Sequence, residues 1–378
     1  MNFDLTQEQE MVVKMARDVV NEVIGPRAAK VDETGEYPED NIKILGELGL
    51  MGLTINEEYG GIKVDTATYA MIVEELGKGC ASTASIMNIH STTSCLTIGR
   101  FGNEEQKKRF LPRLAAGRVG AFALTEADSG SDAGSIKTTA VLDGDSYVLN
   151  GTKCFISNSG PAEIYTIFAK TDKNSGTKGI SAFLVEAGTP GLTVGKHENK
   201  MGIRGSITCE LIIDNLRIPK ENLLGEEGKG FKIAMSVLDN ARLGAGAMAV
   251  GIAQAAFDTA LAYAKERKQF GKPIIEFQGI GFMLADMAMQ IESARGLVYK
   301  AACLDDAGKP YGKEAAMAKC FASDMAVQVC LNAIQILGGY GYMKDYPTER
   351  YLRDAKILQI YEGTNQIQRV VITNYLKK

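Results

Sequence analysis

The spacing of apolar residues changes twice along this chain of 378 residues, and this change limits the folds that the chain can adopt. Over residues 1–118 apolar side chains recur every three or four positions, as at Ile42, Leu45 and Leu48, which is typical of amphipathic helices. Over residues 119–227 they alternate with polar residues, and over 228–378 the helical spacing returns. The pattern predicts an α+β protein with an N-terminal helical domain, a middle small β-barrel or sandwich domain and a C-terminal four-helix bundle domain.

The middle and C-terminal regions contain recognisable turns. Residues 138–142 and 146–149 flank Asp143-Gly144-Asp145, which predicts a hairpin with an Asp-Gly turn. Further strands are predicted at 164–169, 180–186 and 209–213. Helices are predicted over 231–270, 281–304 and 313–337, with a break at Gly271-Lys272-Pro273.

Composition limits the possible partners. The net charge is −4 and the pI is about 5.5, so nucleic acid and anionic membranes are not expected as main partners. No apolar run approaches the ~18 residues of a membrane span. Helical spacing begins almost at Met1, so we expect no signal peptide and a cytoplasmic location. The 7 cysteines include no C-x-x-C pair, which is typical of a reducing compartment.

The histidines and glycine-rich segments exclude several kinds of site. With only His90 and His197 present, a metal site built from histidines and a Ser–His–Asp triad are both disfavoured, and we expect no metal. We expect His197 in a polar loop without a role. Residues 244–251 follow G-x-G-x-x-x-x-G without a preceding strand, which favours a closely packed helix over a dinucleotide fingerprint. Residues 191–197 lack the spacing of a phosphate-binding loop.

Several separated segments carry a family resemblance. They are FALTEADSGSD at 122–132, KCFISN at 153–158, KMGIRGS at 200–206 with the sequence up to 225, DNAR at 239–242, RKQFGKP at 267–273 with Phe277-Gln278, and QILGGYG at 335–341. Together they resemble the acyl-CoA dehydrogenase family over essentially the whole chain. The resemblance is closest to the short-chain, or butyryl-CoA, members.

The resemblance implies a bound FAD. The implied contacts are Phe122, Leu124, Thr125, Gly130, Ser131, Phe155, Ile156, Ser157, Arg267, Phe270, Gln278, Gln335, Ile336, Leu337, Gly338, Gly339, Thr364 and Gln366. Ala127 stands where the family usually has Pro, and Phe155 and Ser157 stand for Trp and Thr, so a flat apolar face and a hydroxyl are retained. Arg267 would offer a fixed cation to the pyrophosphate, in relatives largely across a subunit interface.

The same resemblance implies a site for the thioester. Ser131, Asp239, Arg242 and Gly363 are the expected substrate contacts. An arginine at 242 can serve phosphate or carbonyl oxygens, and Asp239 can accept from the amides of the CoA arm. A simple ion pair three residues apart within a helix is an open alternative for Asp239 and Arg242.

Glu362 lies between two apolar helical stretches, 355–361 and 367–372. Gly363 permits close backbone approach, and Thr364 or Asn365 can cap the second helix. Considered alone, this could be a surface Glu beside an ordinary N-cap. The resemblance implies that Glu362 is the catalytic base of an α,β-dehydrogenation, as in butyryl-CoA to crotonyl-CoA, with the hydride passed to the flavin. It also implies electron-transferring flavoprotein as partner, a homotetramer built as a dimer of dimers, and a bacterial cytoplasmic enzyme.

Other functions remain open from the sequence. The same fold could work in reverse as an enoyl-CoA reductase coupled to electron-transferring flavoprotein, or pass electrons to oxygen as an oxidase. A protein of another class, a non-enzymatic helical interaction protein, would use the motifs only for packing. Residues 85–94 align with the helix that closes the acyl pocket in relatives and contain no Arg, so a short, unbranched acyl group is expected. His90 is expected to be a helix residue satisfied by a neighbour.

Overall fold

A computed structural model describes residues 5–377 of the chain. Its N-terminal part is helical, as predicted, with α1 (Gln7–Val19), α2 (Gly25–Thr34), α3 (Glu39–Glu47), α4 (Thr66–Gly79), α5 (Ala81–Ile89), α6 (Leu96–Phe101) and α7 (Glu104–Ala115). Single π-helical turns, Val20–Ile24 and His90–Cys95, join α1 to α2 and α5 to α6. Thr6 and Asn103 form capping boxes at the starts of α1 and α7, which satisfies backbone amides that a helix leaves unpaired.

The middle part is a sheet. Its strands are β1 (Gly120–Ala123), β2 (Thr139–Asp143), β3 (Ser146–Ser157), β4 (Ile164–Lys170), β5 (Ile180–Glu186), β6 (Leu192–His197), β7 (Thr208–Pro219) and β8 (Leu223–Leu224). Hydrogen bonding gives the order β6-β7-β3-β2-β4-β5-β8, with β1 parallel to β4 beside this path. The predicted hairpin is present, but Asp143 pairs with Ser146, so the loop is Gly144-Asp145, with the positive φ of 59° at Gly144.

Three sequence predictions need correction in this part. His197 does not lie in a polar loop, because it ends β6, which pairs with β7 at the edge of the sheet. The strand predicted at 209–213 continues to Pro219, with two register shifts against β3 that allow one long strand to bend. Strand β1 was missed because its four residues are small or buried on both faces and do not alternate.

The C-terminal part is again helical, with α8 (Gly230–Glu266), α9 (Gln278–Asp306), α10 (Gly312–Leu337), α11 (Thr348–Ile357) and α12 (Asn365–Leu376). Helix α8 ends four residues before the predicted end. The chain there forms a short antiparallel pair, β9 (Lys268–Gln269) and β10 (Lys272–Pro273), around Phe270 and Gly271, whose φ values of 51° and 81° are incompatible with a helix.

The long helices of the C-terminal part share one core with the N-terminal helices. Close contact between α4 and α8 depends on glycine: a Cβ on Gly251 would lie 2.1 Å from the carbonyl oxygen of Glu74, and one on Gly77 would lie 2.8 Å from that of Met248. The prediction that residues 244–251 form a closely packed helix is therefore confirmed. A second cluster joins α6 and α7 to the sheet, and a third lies within the sheet itself.

Two helical stretches of the described chain, Gly230–Glu266 and Gly312–Tyr342, are long and apolar enough to cross a membrane by length and composition alone. Their most apolar windows are 67% and 56% buried inside the structure. Core helices of globular proteins have the same length and composition, so these stretches are weak evidence of a membrane span.

Candidate active site

Glu362 lies in a sharp turn between α11 and α12. Its φ is 55°, a left-handed conformation that non-glycine residues rarely adopt, and Gly363 follows with φ 85°. A Cβ added to Gly363 would also lie 2.8 Å from the side-chain nitrogen Nε2 of Gln368. Of the two capping residues that the sequence allowed, Thr364 is the N-cap of α12, because it accepts from the amide of Ile367 at 3.2 Å.

Three side chains hold this turn through its backbone carbonyls. Gln368 Nε2 donates to the carbonyls of Glu362 and Gly363 at 3.0 and 2.9 Å. Lys319, fully buried on α10, donates to the Gly363 carbonyl at 2.7 Å, and Arg242 Nε on α8 lies 3.4 Å from the Glu362 carbonyl. The turn is therefore fixed from two different long helices, which positions the Glu362 side chain without occupying its carboxyl group.

The electrostatic surroundings make the Glu362 carboxyl a base that titrates near neutral pH. Burial raises the pKa of Glu362 to about 7, while Arg242 and Lys319 oppose this rise. Among the described residues, no side chain or amide donates a hydrogen bond to its carboxylate. Burial lowers the pKa of Lys319 to about 8, against the attraction of Glu362. A carboxylate that is desolvated and lacks a hydrogen-bond donor is suited to accept a proton.

Asp239 and Arg242 lie next to the turn. Arg242 is buried, and its Nη1 donates to Asp239 Oδ1 at 2.7 Å, so the ion pair within the helix that the sequence left open is present. Burial raises the pKa of Asp239, and Arg242 partly offsets this effect. The predicted contact Ser131 is exposed in the loop after β1, and Gly363 lies in the turn itself.

The predicted flavin contacts of the middle domain lie close together. Phe122 on β1 packs against Phe168 at 4.7 Å between ring centroids, and the loop from Leu124 through Thr125 to Gly130 and Ser131 follows it. The amide of Cys154 donates to the Thr125 carbonyl at 2.9 Å, which brings the bulged end of β3 with Phe155, Ile156 and Ser157 beside this loop. Thr364 and Gln366 lie apart, at the start of α12.

A buried ion pair holds this loop and was not predicted. Lys153 Nζ donates to Glu126 Oε1 at 2.7 Å and to the Leu124 carbonyl at 3.1 Å. Glu126 also accepts from the amides of Lys137 and Thr138, at 2.5 and 3.0 Å. Burial works to raise the pKa of Glu126, but Lys153 and the hydrogen bonds from Thr138 and Lys137 together outweigh it, so the pKa is lowered. A fully partnered buried carboxylate of this kind fixes the backbone around it.

The remaining predicted cofactor contacts form a second group. Arg267, Ile336, Leu337, Gly338 and Gly339 line one open cavity of about 570 Å³. The Arg267 guanidinium lies 5.9 Å from the ring centroid of Tyr340, which lines the same cavity. A flat aromatic ring, a cation and glycine backbone suit a dinucleotide. A Cβ added to Gly338 or Gly339 would meet nothing within 4 Å, so a ligand can approach the backbone there closely.

Phe270, Gln278 and Gln335 lie outside the lining of this cavity and are exposed. Phe270 stands at the tip of the β9–β10 hairpin and is 93% exposed. Within residues 5–377, no hydrogen bond or ion pair joins this second group to the contacts of the middle domain. One chain therefore presents two separate surfaces that each match part of the predicted cofactor site.

Backbone strain marks the predicted residues. Six non-glycine residues of the described chain have a positive φ, and Phe155, Phe270 and Glu362 are three of them, at 56°, 51° and 55°. Such conformations are unfavourable and accumulate at functional sites.

Sequence reasoning missed Lys319, Gln368, Glu126 and Lys153 as functional supports. A signal existed for both lysines. Lys153 continues the buried face of β3 after Tyr147 and Leu149, and Lys319 lies in a helical run of buried small residues. A charged residue at a core position is seldom found without a partner. Among the described residues, no three His, Cys, Asp or Glu side chains form a group that could hold a metal ion.

Comparison with known proteins identifies the family. Residues 6–118, 121–216 and 228–376 match the N-terminal, middle and C-terminal domains of acyl-CoA dehydrogenase. The chain belongs to the acyl-CoA dehydrogenase family. It is 50% identical over 374 residues to the short-chain specific acyl-CoA dehydrogenase of Clostridium acetobutylicum, covering 99% of both chains. It is 52% identical over 381 residues to the acryloyl-CoA reductase (NADH) of Anaerotignum propionicum, covering 100% of this chain and 96% of the relative.

Solved structures agree with this assignment to the acyl-CoA dehydrogenases. Butyryl-CoA dehydrogenase from Megasphaera elsdenii superposes with a TM-score of 0.98 at 48% identity, covering 100% of both chains. A chain from the structure of the electron transferring flavoprotein of Acidaminococcus fermentans, described in connection with flavin-based electron bifurcation, has a TM-score of 0.98 at 50% identity and covers 100% of this chain and 99% of its own.

The predicted family, fold class and enzyme class are confirmed by these matches. Acyl-CoA dehydrogenases use FAD, so the predicted cofactor is also confirmed. The alternative of a non-enzymatic helical interaction protein is wrong, because the chain is an acyl-CoA dehydrogenase by family and contains an eight-stranded sheet.

Proposed function

We propose that this acyl-CoA dehydrogenase removes the α- and β-hydrogens of a short-chain acyl-CoA thioester, of the butyryl-CoA type, with Glu362 as the base for the α-proton. The observation that carries the proposal is the environment of the Glu362 carboxyl group. It is desolvated, receives no hydrogen bond from the described residues, has a pKa raised to about 7, and stands on a turn fixed by Lys319 and Gln368. A base with these properties can accept a proton at neutral pH.

The residues around Glu362 position the thioester. Arg242 and Asp239 would meet polar groups of the CoA arm, as would the exposed hydroxyl of Ser131, and Gly363 leaves room for the thioester carbonyl. The backbone amide of Glu362 can donate to that carbonyl, which stabilises the negative charge that develops when the α-proton leaves. FAD, when bound, supplies the acceptor for the β-hydride.

We assign the cofactor contacts to two chains. Phe122, Leu124, Thr125, Gly130, Ser131, Phe155, Ile156, Ser157, Thr364 and Gln366 would hold the flavin end, and Arg267, Phe270, Gln278 and residues 335–339 of a second chain would hold the pyrophosphate and adenine end. The separation of the two groups within one chain supports this division. Exposed Phe270, Phe282 and Tyr342, at 93%, 60% and 79%, support burial of the second surface in an assembly. We propose a homotetramer made as a dimer of dimers.

Electron-transferring flavoprotein is the proposed electron carrier, because a structure of that flavoprotein from Acidaminococcus fermentans contains a chain of the same fold. The direction of the reaction has a second candidate. The acryloyl-CoA reductase of Anaerotignum propionicum is 52% identical to this chain, which supports enoyl-CoA reduction as the second candidate. The same base and flavin would serve both directions. Bacterial relatives support a bacterial, cytoplasmic enzyme. The three matched family domains support a division of the chain at 1–118, 119–227 and 228–378.

Glu362→Gln tests the proposal. Glutamine keeps the size of the side chain but cannot accept the α-proton, so flavin reduction by butyryl-CoA under anaerobic conditions should fall by at least about 10²–10⁴-fold. FAD content should remain, and the thioester should still perturb the flavin spectrum. The matched control is Glu314→Gln, on α10 beside Lys313. In this variant butyryl-CoA should reduce the flavin as it does in the wild type. Substantial flavin reduction by Glu362→Gln would place the base elsewhere.

A further inference from the structure

A cavity separate from the candidate active site lies between the segment 53–64, α6 and α7, and we name it the α6 cavity. Its volume is about 200 Å³, and none of its lining residues belongs to the turn at Glu362 or to the predicted cofactor contacts. An apolar cavity of about 150 Å³ holds a benzene molecule, so this one has room for about eight non-hydrogen atoms. A small organic molecule fits this volume, and a whole nucleotide, with more than about 20 such atoms, does not.

The inner part of the α6 cavity is apolar. Its buried apolar side chains, each at most 2% exposed, are Ile55, Cys95 and Leu111. Two hydroxyls in the lining have internal partners, because Tyr59 OH donates to Glu104 Oε2 at 2.8 Å and Thr54 Oγ1 donates to the Ser91 carbonyl at 3.0 Å. A water molecule in a cavity needs about two to four polar partners. The inner part therefore favours an aliphatic group over water.

The wall behind Cys95 is neutral. Cys95 Sγ lies 3.3 Å from His90 Nε2. Gly120 N donates to His90 Nδ1 at 3.3 Å, so His90 Nε2 carries the proton and donates to the Met51 carbonyl at 3.0 Å. The expectation that a neighbour satisfies His90 is therefore confirmed by its contacts. Burial lowers the pKa of His90 to about 4, so this side of the α6 cavity has no cation at neutral pH.

The mouth of the α6 cavity is positively charged. Lys63, Arg100 and Lys107 line it, and no Asp or Glu does. Lys107 pairs with Glu104 at 3.0 Å, and Arg100 interacts with the hydroxyl of Tyr311. Among residues 5–377, no carboxylate forms an ion pair with Lys63 or Arg100, both of which are exposed. Cations of one sign around a cleft attract anions to it.

The segment that carries Lys63 is held in place before any ligand binds. Lys63 N donates to the Ile55 carbonyl at 3.1 Å, and Val64 N donates to the Leu53 carbonyl at 2.9 Å. Gly61 makes this close approach possible, since a Cβ there would lie 2.0 Å from the Ile55 carbonyl oxygen. A ligand that binds a preformed site does not have to order it.

We propose that the α6 cavity binds the free carboxylate of a short straight-chain acid of about four to six carbons, with its carboxylate at Lys63 and Arg100 and its chain against the apolar wall. Such an acid has about six to eight non-hydrogen atoms, which matches the volume. Inorganic phosphate would leave the apolar wall uncovered, and a neutral alcohol would leave the cations without an anion. Only an anion with a short apolar chain meets both parts of the α6 cavity.

The test is a calorimetric titration of the FAD-loaded protein with butyrate, hexanoate and decanoate, and with 1-hexanol and inorganic phosphate for comparison. Affinity should rise about fourfold for each methylene between butyrate and hexanoate, because burying a CH₂ contributes about 0.8 kcal/mol. Decanoate should bind no more tightly than hexanoate, since the volume is then filled. The alcohol and phosphate should each bind at least about 5-fold more weakly than hexanoate.

Substitutions locate the site. Gly99→Leu should abolish hexanoate binding, because Gly99 lines the α6 cavity and a Cβ there meets nothing within 4 Å, so the longer side chain fills the space. Lys63→Met should weaken binding about 2- to 5-fold. Lys108→Met is the matched control, since Lys108 is exposed on α7 outside the lining, and it should bind hexanoate as the wild type does. Flavin reduction by butyryl-CoA should be unchanged in all three variants, which reports that they fold.

Hexanoate binding that survives Gly99→Leu, or that perturbs the flavin spectrum, would place the acid in another site and overturn the inference. The inference is also overturned if hexanoate does not bind, or if 1-hexanol or phosphate binds as tightly. If Gly99→Leu fails to fold, the comparison of Lys63→Met with Lys108→Met decides, and equal affinity in these two variants counts against the α6 cavity. None of these outcomes bears on the dehydrogenase assignment.

Discussion

Replacing Lys319 by Met tests how the turn that carries the catalytic base is held. Lys319 is fully buried on α10, and its ammonium donates to the Gly363 carbonyl at 2.7 Å and to Asn365 Oδ1 at 2.9 Å. Methionine has a similar length and is apolar, so the variant removes a charge and two hydrogen bonds without opening a large cavity. Each acceptor retains another donor, Gln368 for Gly363 and Ser323 for Asn365.

The effect on stability should be small. The pKa of Lys319 falls from 10.5 to about 8 on folding because of burial. Between those values the unfolded state binds more protons, so this lysine makes the wild type more stable as pH rises from about 8 to 10.5. At pH 7 the difference corresponds to about 3 kcal/mol against folding. Its two hydrogen bonds contribute about 2–3 kcal/mol in favour of folding, and Lys319→Met should therefore unfold within about 1 kcal/mol of the wild type.

The effect on the reaction should be larger. Lys319 is one of two cations that oppose the burial-driven rise in the pKa of Glu362, which stands at about 7. At an effective dielectric constant of about 20, two unit charges interact by about 4 kcal/mol at a separation of about 4 Å and by about 2 kcal/mol at twice that distance, so the loss of one charge shifts a pKa by about 1.5 units or more. Without Lys319, the ionised fraction of Glu362 at pH 7 should fall from about half to a few per cent. Together with a less fixed turn, this predicts a loss of about 10²-fold in kcat/KM at pH 7.

The assay is the pH profile of anaerobic flavin reduction by butyryl-CoA, from about pH 6 to about pH 9, with urea unfolding measured on the same preparations. In Lys319→Met the acid limb of kcat/KM should move up by at least about one pH unit. Lys313→Met is the control, since Lys313 lies on the same helix with its side chain 37% exposed. An unmoved acid limb, or activity lost only in step with folded protein, would refute the reasoning.

Three further outcomes are expected. Arg267→Ala should weaken FAD binding by at least about 10²-fold in a fluorescence titration, while butyryl-CoA should reduce the flavin of the FAD-saturated variant at the wild-type rate. An unchanged affinity for FAD would mean that Arg267 does not contact the cofactor. Light scattering of the FAD-loaded protein should give a tetramer, and a monomer that holds FAD tightly would contradict the two-chain site. Gly251→Ala should lower the unfolding temperature by several degrees, since its Cβ would lie 2.1 Å from the Glu74 carbonyl oxygen. Gly99→Ala, whose Cβ meets nothing within 4 Å, should not lower it.

The sequence predicts the division into helices, sheet and helices, because the apolar period is a local property of the chain. It also places the 138–149 hairpin and the glycine-rich helix correctly. It fails after Glu266, where α8 ends, because the left-handed residues Phe270 and Gly271 are not distinguished from a helix by apolar spacing. It fails at His197 because an exposed edge strand has few apolar residues to alternate.

The candidate site is less accessible from the sequence than the fold. Around Glu362 the local pattern equally fits a surface Glu beside an N-cap, and only the family resemblance separates the two. The contacts that make this Glu special are distant in sequence: Lys319 lies 44 residues from Gly363, and Arg242 lies 120 residues from Glu362. Lys153 and Glu126 are separated by 27 residues and required knowledge of the sheet register. No period or spacing encodes such pairs.

The energetics of the turn at Glu362 give an argument for function that is independent of the family. Raising the pKa of Glu362 from 4.5 to about 7 corresponds to about 3 kcal/mol against folding above neutral pH. The left-handed backbone of Glu362 adds about 1 kcal/mol or more. Together these terms are a large part of the 5–15 kcal/mol by which a typical domain is stable. A glycine at 362 would relieve both terms, so a chain that retains Glu362 in this turn retains an unfavourable arrangement that only the chemistry at the carboxyl explains.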